Sequence, residues 1–212
     1  MAIRFRGALN DFSQLEYGYC PPEAVPIKEG DNLENVIMQA LRQALPLFIL
    51  TGALAVVRLV KGLNWTGEFS FVYMLVVMLL WSVLYFALIV LHELIHRRLF
   101  SAARHQGCLG LPAAGSVVYC NTPVTKRRFI VMSLTPAVLL GFIPYAAWLL
   151  WANVPNAILF HRLGQHGLEH DSFGGIGDFY NVRNVLEQVP KDAYVFNYGI
   201  HTYWIEDPRK KK

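Results

Sequence analysis

From Phe69 to Leu91 the chain holds no charged residue, and the next five positions read His92-Glu93-Leu94-Ile95-His96, with Arg97-Arg98 immediately after. A helix needs about 20 predominantly apolar residues to cross the hydrocarbon of a bilayer. The run therefore predicts a membrane helix that carries an H-E-x-x-H pattern out to the water–lipid boundary. Histidines four apart on a helix share one face and can chelate a single Zn²⁺. Glu93 lies one position round, beside that face, where a carboxylate can take a proton from an attacking water.

Other stretches are apolar in the same way. Hydrophobic residues make up 54% of the chain and charged residues only 16%, against about 25% charged in ordinary soluble domains. Ala44 to Val60, Phe69 to Leu91 and Phe129 to Ala152 read as three clear spans. Pro136 and Pro144 lie inside the third, where they either loosen the helix beside the site or kink it for packing. After Val154-Pro155, Asn156 to Phe160 is apolar, but His161, Arg162, His166, Glu169, His170 and Asp171 follow quickly. That mixture predicts an irregular fourth crossing, shielded by the other helices or facing a wet cavity.

The expected fold class is an all-α polytopic membrane bundle of three spans plus this fourth crossing, with a small β-hairpin between Gly107 and Thr125. Short C-terminal strands are expected around Tyr194, Phe196 and Tyr198, with an edge that an extended peptide could join. The division is a cytoplasmic segment 1–43, a membrane-embedded domain 44–206 and a basic tail 207–212. Asp31, with Glu34 three residues on, starts an interfacial helix that runs into the first span.

Residues 97–128 contain Arg97, Arg98, Arg104, Lys126, Arg127 and Arg128 and no acid. By the positive-inside rule this loop, the nearby metal motif and the N-terminus are expected on the cytoplasmic side of the inner membrane. Met1 to Gln14 lacks the apolar centre of a signal peptide, so the first span is expected to serve as the insertion signal. The partners expected are the bilayer and a membrane-protein or peptide substrate. No basic face interleaved with aromatics suggests nucleic acid. Cys20, Cys108 and Cys120 form no CxxC pair and read as structural. The sequence sets no oligomeric state.

Two histidines leave a catalytic zinc site one protein ligand short. No Asp or Glu occurs between Glu93 and Glu169, which excludes a nearby helical carboxylate. The longer motif with a third histidine also fails, since Leu99 stands at its glycine and Ala102 at its histidine. Glu169, Asp171 and Asp178 remain, followed by Glu187 and residues in the tail. Asp178 is preferred because it follows Gly174-Gly175-Ile176-Gly177, where small residues let backbones pack closely, and because a helical run begins there. The competing reading makes Asp178 an N-cap of that helix. His105, His161, His166, His170 and His201 are further candidates, and the spacing of His166 and His170 also admits a second metal site.

The layout resembles the site-2 protease type of intramembrane metalloprotease. More closely, it is similar to a family of small bacterial membrane proteins described as zincin peptidases. The shared residues are His92-Glu93-x-x-His96, Lys126-Arg127-Arg128 leading to Pro136, Gly177-Asp178, and Lys191-Asp192-Ala193 on to Tyr203. The resemblance spans residues 44–206. It implies that His92, His96 and Asp178 hold Zn²⁺ and that Glu93 is the general base for peptide hydrolysis. The Asn-Pro-Asp-Gly form of the third ligand, common in site-2 proteases, is absent. A different class of function keeps the motif as a structural or adaptor metal site without catalysis.

Overall fold

A computed structural model of the chain describes residues 19–30, 33–62, 71–101, 122–150, 175–198 and 201–207. Helix α1 (Leu33–Gly62) and helix α2 (Phe71–Ser101) come first. A third helical rod follows, made of α3 (Lys126–Pro136), a π-helical turn (Ala137–Phe142) and α4 (Ile143–Leu150). Helix α5 (Ile176–Gln188) is the last. Four strands, β1 (Val25–Pro26), β2 (Val124–Thr125), β3 (Tyr194–Tyr198) and β4 (His201–Ile205), form one antiparallel sheet in the order β1-β4-β3-β2.

This corrects the expected all-α bundle of three spans and a fourth crossing. Among the described residues only Glu34–Leu54 and Lys126–Ala147 are long and apolar enough to cross a membrane, and Ser82–His96 is apolar but shorter. Part of the chain's apolar content builds a water-type core between helix and sheet instead. Ile27, Val124, Phe129, Met132, Val185, Val189, Ala193 and Val195 form that core. Fully burying a side chain such as Val185, Val195 or Met132 stabilises by about 1.5–3 kcal/mol. The expected fourth crossing, the 107–121 part of the expected hairpin, and the basic tail beyond Asp207 lie outside the described residues.

The sheet draws together distant parts of the chain. Val25 pairs with Trp204 and Pro26 with Tyr203, while Val124 pairs with Val195 and Thr125 with Tyr194. Pro26 donates no ladder hydrogen bond and is accordingly on an outer strand. The expected C-terminal strands β3 and β4 are the middle pair, and the two-residue β2 pairs only with Tyr194 and Val195 of β3, short of Phe196–Tyr198. Val195 and Phe196, on opposite faces of β3, are both buried, which means that both faces of the sheet are covered there.

Side chains then tie the sheet to the helices. Thr125 caps α3 by accepting from the Arg128 N–H. Lys126 Nζ donates to the Val189 and Leu186 carbonyls at 2.6 and 3.1 Å. These are carbonyls at the end of α5, where a cation also meets the negative end of the helix dipole. Gln188 bonds both main-chain groups of Lys28, accepting from its N–H and donating to its carbonyl. Tyr180 accepts from the Gly30 N–H and donates to Gln39 on α1. A Cβ on Gly30 would lie 2.8 Å from the Val36 nitrogen, so the chain can enter α1 at this approach only through glycine.

Helix α1 buries a narrow stripe, Ala40, Ala44 and Thr51. Small residues four apart let helices approach closely. Further along, Tyr145 donates to the Thr51 carbonyl at 2.6 Å and joins α4 to α1. The stability of this arrangement is testable at Phe196, which is 1% exposed. Phe196→Ala is expected to cost about 3–5 kcal/mol. Leu186→Ala, on the exposed side of α5, is expected to stay within about 0.5 kcal/mol, with denaturant titration as the measurement.

Candidate metal centre

From Phe71 on, the uncharged run and the H-E-x-x-H pattern form one unbroken helix, α2, which continues to Ser101. Its last turns leave the apolar stripe and enter the core between helix and sheet, where Leu99 packs. This is the position at which a third-histidine motif would need glycine. His92 and His96, one turn apart, are 4% and 6% exposed, while Leu91 and Leu94 between and beside them face outward. The helix thus turns its histidine face inward and its leucine face away from the protein.

Asp178 reaches the same point from α5. The N-cap of that helix is Gly175, so Asp178 sits in the first turn and is not itself the cap. The positive end of the helix dipole favours a carboxylate there. Its Oδ2 lies 3.2 Å from His92 Nε2 and 3.1 Å from His96 Nε2, and the two Nε2 atoms are 3.1 Å apart. Burial opposes ionisation of Asp178, but the two facing imidazoles outweigh it and hold the carboxyl below its ordinary range.

Hydrogen bonding alone does not account for this triangle. If both Nε2 atoms donate to Oδ2, they face each other proton to proton. Three donor atoms converging on one point are what a metal ion requires. Zinc–nitrogen and zinc–oxygen bonds of about 2.0–2.2 Å place tetrahedral ligands about 3.3 Å apart. The observed separations of 3.1–3.2 Å fit that spacing, and the two imidazoles and one carboxylate are a common zinc donor set. Among the described residues this is the one cluster of three such groups.

Glu93 follows His92 on α2, and its Oε2 is sealed from solvent. Phe179, next to Asp178, packs edge-to-face on Phe142 of the π-helical turn at 6.0 Å, so the third rod also touches the turn that carries the carboxylate. The main chain of Met132 on α3 lies near the His96 ring. Motif reading missed this neighbour because a main-chain group has no residue signature.

The glycine argument for Asp178 needs correcting in part. Gly177 is exposed, and a Cβ there would meet nothing within 4 Å. Gly175 is buried. Glu187 lies at the far end of α5 in an exposed pair with Arg183, and His201 bonds Glu29 on the sheet. Neither joins the centre. Glu169, Asp171, His105, His161, His166 and His170 lie outside the described residues.

A family model described as "Putative zincin peptidase" matches residues 85–194, which contain all three converging residues and Glu93. Zinc is the cofactor that this family implies. No curated protein and no solved structure matches the chain. Metal analysis of the purified protein is expected to give one zinc per chain. His92→Ala, His96→Ala and Asp178→Ala are each expected to lose it, whereas His201→Ala is expected to keep it.

Proposed function

Since the chain belongs to the zincin peptidase family, we propose that it is a membrane-embedded zinc metallopeptidase, which cuts membrane-associated or transmembrane substrates near the cytoplasmic face. The observation that carries this reading is the convergence of His92, His96 and Asp178, with the Glu93 carboxylate one residue from the first of them. Those three residues would hold the zinc. When bound, zinc supplies Lewis-acid activation of a water and polarisation of the peptide carbonyl.

The chain's own residues supply the rest. Glu93 takes the proton from the attacking water and returns it to the departing amine nitrogen. Helices α2 and α5 bring the two imidazoles and the Asp178 carboxyl to one point, so the donor set is in place before a substrate arrives. Low exposure at His92 and His96 limits competing bulk water, which strengthens every charge interaction at the point of reaction. A helical amide is hydrogen-bonded and poorly exposed, so the substrate is a segment that is unwound where it is cut.

The bilayer part of the proposal rests on the outward faces of the helices. Ile49, Leu50, Val56 and Val57 on α1 and Leu79, Leu80, Val83, Phe86 and Val90 on α2 are all more than half exposed. A soluble monomer rarely leaves so much contiguous apolar surface uncovered, and lipid is the solvent that suits it. The basic loop of residues 97–128 argues for a cytoplasmic active site.

The reading is tested by Glu93→Gln assayed in detergent on a fluorogenic peptide library beside a zinc measurement. Zinc is expected to stay stoichiometric while hydrolysis falls about 10²–10⁴-fold. A variant that still cuts at the wild-type rate contradicts the assignment of Glu93. A wild-type protein that holds zinc and cuts nothing favours the structural or adaptor reading.

A further inference from the structure

The outer face of the third helical rod is apolar along its length and charged at one end. Val131, Val138, Leu139, Ile143 and Leu150 are each 40% exposed or more. Their spacing keeps them on one side of the rod, through the π-helical turn and into α4. Arg127 and Arg128 are both exposed and stand four and three residues before Val131, hence on the same side. Lys126 is engaged elsewhere, with its Nζ bonded to the Leu186 and Val189 carbonyls of α5. Among the described residues neither arginine joins an ion pair.

Helix α2 repeats the pattern in the opposite sense. Its outward residues Val90, Leu91 and Leu94 lead to Arg98, which is exposed and four residues beyond Leu94. Leu99, next to Arg98, packs on the core that contains Phe129, next to Arg128. The two helices also pack on each other. Both apolar faces therefore end in arginine at about the same level.

We propose that this rim is a docking surface for anionic phospholipid: Arg127 and Arg128 hold the headgroup phosphate, and the acyl chains lie along the stripe that starts at Val131. Two properties select that occupant. From Val131 to Leu150 the stripe is about 28 Å long at 1.5 Å per residue, close to the ~30 Å hydrocarbon of a bilayer. The arginine fork matches phosphate oxygens, and net positive charge at the end of the stripe favours an anionic headgroup over a zwitterionic one. The inference rests on the membrane reading above and adds which lipid the protein prefers. His96 comes two residues before Arg98 on α2, so the metal centre lies just to the acyl side of the phosphates.

The experiment titrates the full-length protein in detergent with dioleoyl phosphatidylglycerol or dioleoyl phosphatidylcholine and reads bound lipid by native mass spectrometry. The wild type is expected to bind phosphatidylglycerol more tightly. Arg127→Gln/Arg128→Gln is expected to weaken that binding about fivefold per arginine, with phosphatidylcholine binding, zinc content and melting temperature unchanged. Arg127→Lys/Arg128→Lys should keep most of the preference, since the charges remain. Arg183→Gln, which removes a cation paired with Glu187 on α5, should bind both lipids as the wild type does.

Equal affinity of the wild type for the two lipids, or an undiminished preference in the double glutamine variant, overturns the inference. So does a Val138→Cys chain that cross-links to a second copy across this face and binds neither lipid. Protein that sodium carbonate strips from native membranes overturns the bilayer reading itself, whereas protein that stays in membranes without a lipid preference overturns only this inference. If the double variant does not fold, Arg127→Gln and Arg128→Gln are read singly by the same criteria.

Discussion

Everything near the centre depends on holding two imidazoles and one carboxylate within 3.1–3.2 Å of one another across 86 residues of chain. Uncompensated, such a cluster is costly to bury, because each polar atom gives up water. The scaffold meets that demand by bracing α2 and α5 against a common neighbour. Helix α3 packs on both, with Met132 beside the histidines and Lys126 bonded to the last carbonyls of α5. Helix α1 supports α5 from another side through Ala40, Ala44 and the Gln39–Tyr180 bond. Asp178 is thus carried on a helix fixed at both ends.

Exposed apolar faces and a buried core divide the same helices. On α2, apolar residues from Leu79 to Val90 point outward, while over the next three turns His92, His96 and Leu99 enter the protein core. The sheet and α5 bury a core of the kind found in soluble domains, with Val185 and Val195 fully excluded from solvent. The three converging side chains thus lie where the apolar stripe of α2 gives way to the buried core.

The sequence made the centre more legible than the fold. His92 and His96 are four apart on one helix, a local relation that the 3.6-residue period fixes directly. The absence of acids between Glu93 and Glu169 narrowed the third ligand, but Asp178 was preferred among the remaining acids for its glycine neighbours, and the packing role given to Gly177 was misplaced. The sheet was largely hidden. Strands β1 and β2 have two residues each, too short for any alternation, and Val25 finds Trp204 only through tertiary contact. Counting apolar runs also could not show that residues of a candidate span, such as Phe129 and Met132, pack in a protein core.

The most direct test of the centre is zinc K-edge X-ray absorption on the purified, zinc-loaded protein. The account predicts a first shell of nitrogen and oxygen only, at about 2.0–2.2 Å, with outer-shell scattering from two imidazoles. A sulfur shell near about 2.3 Å, or scattering from three or more imidazoles, would contradict a site made of His92, His96 and Asp178.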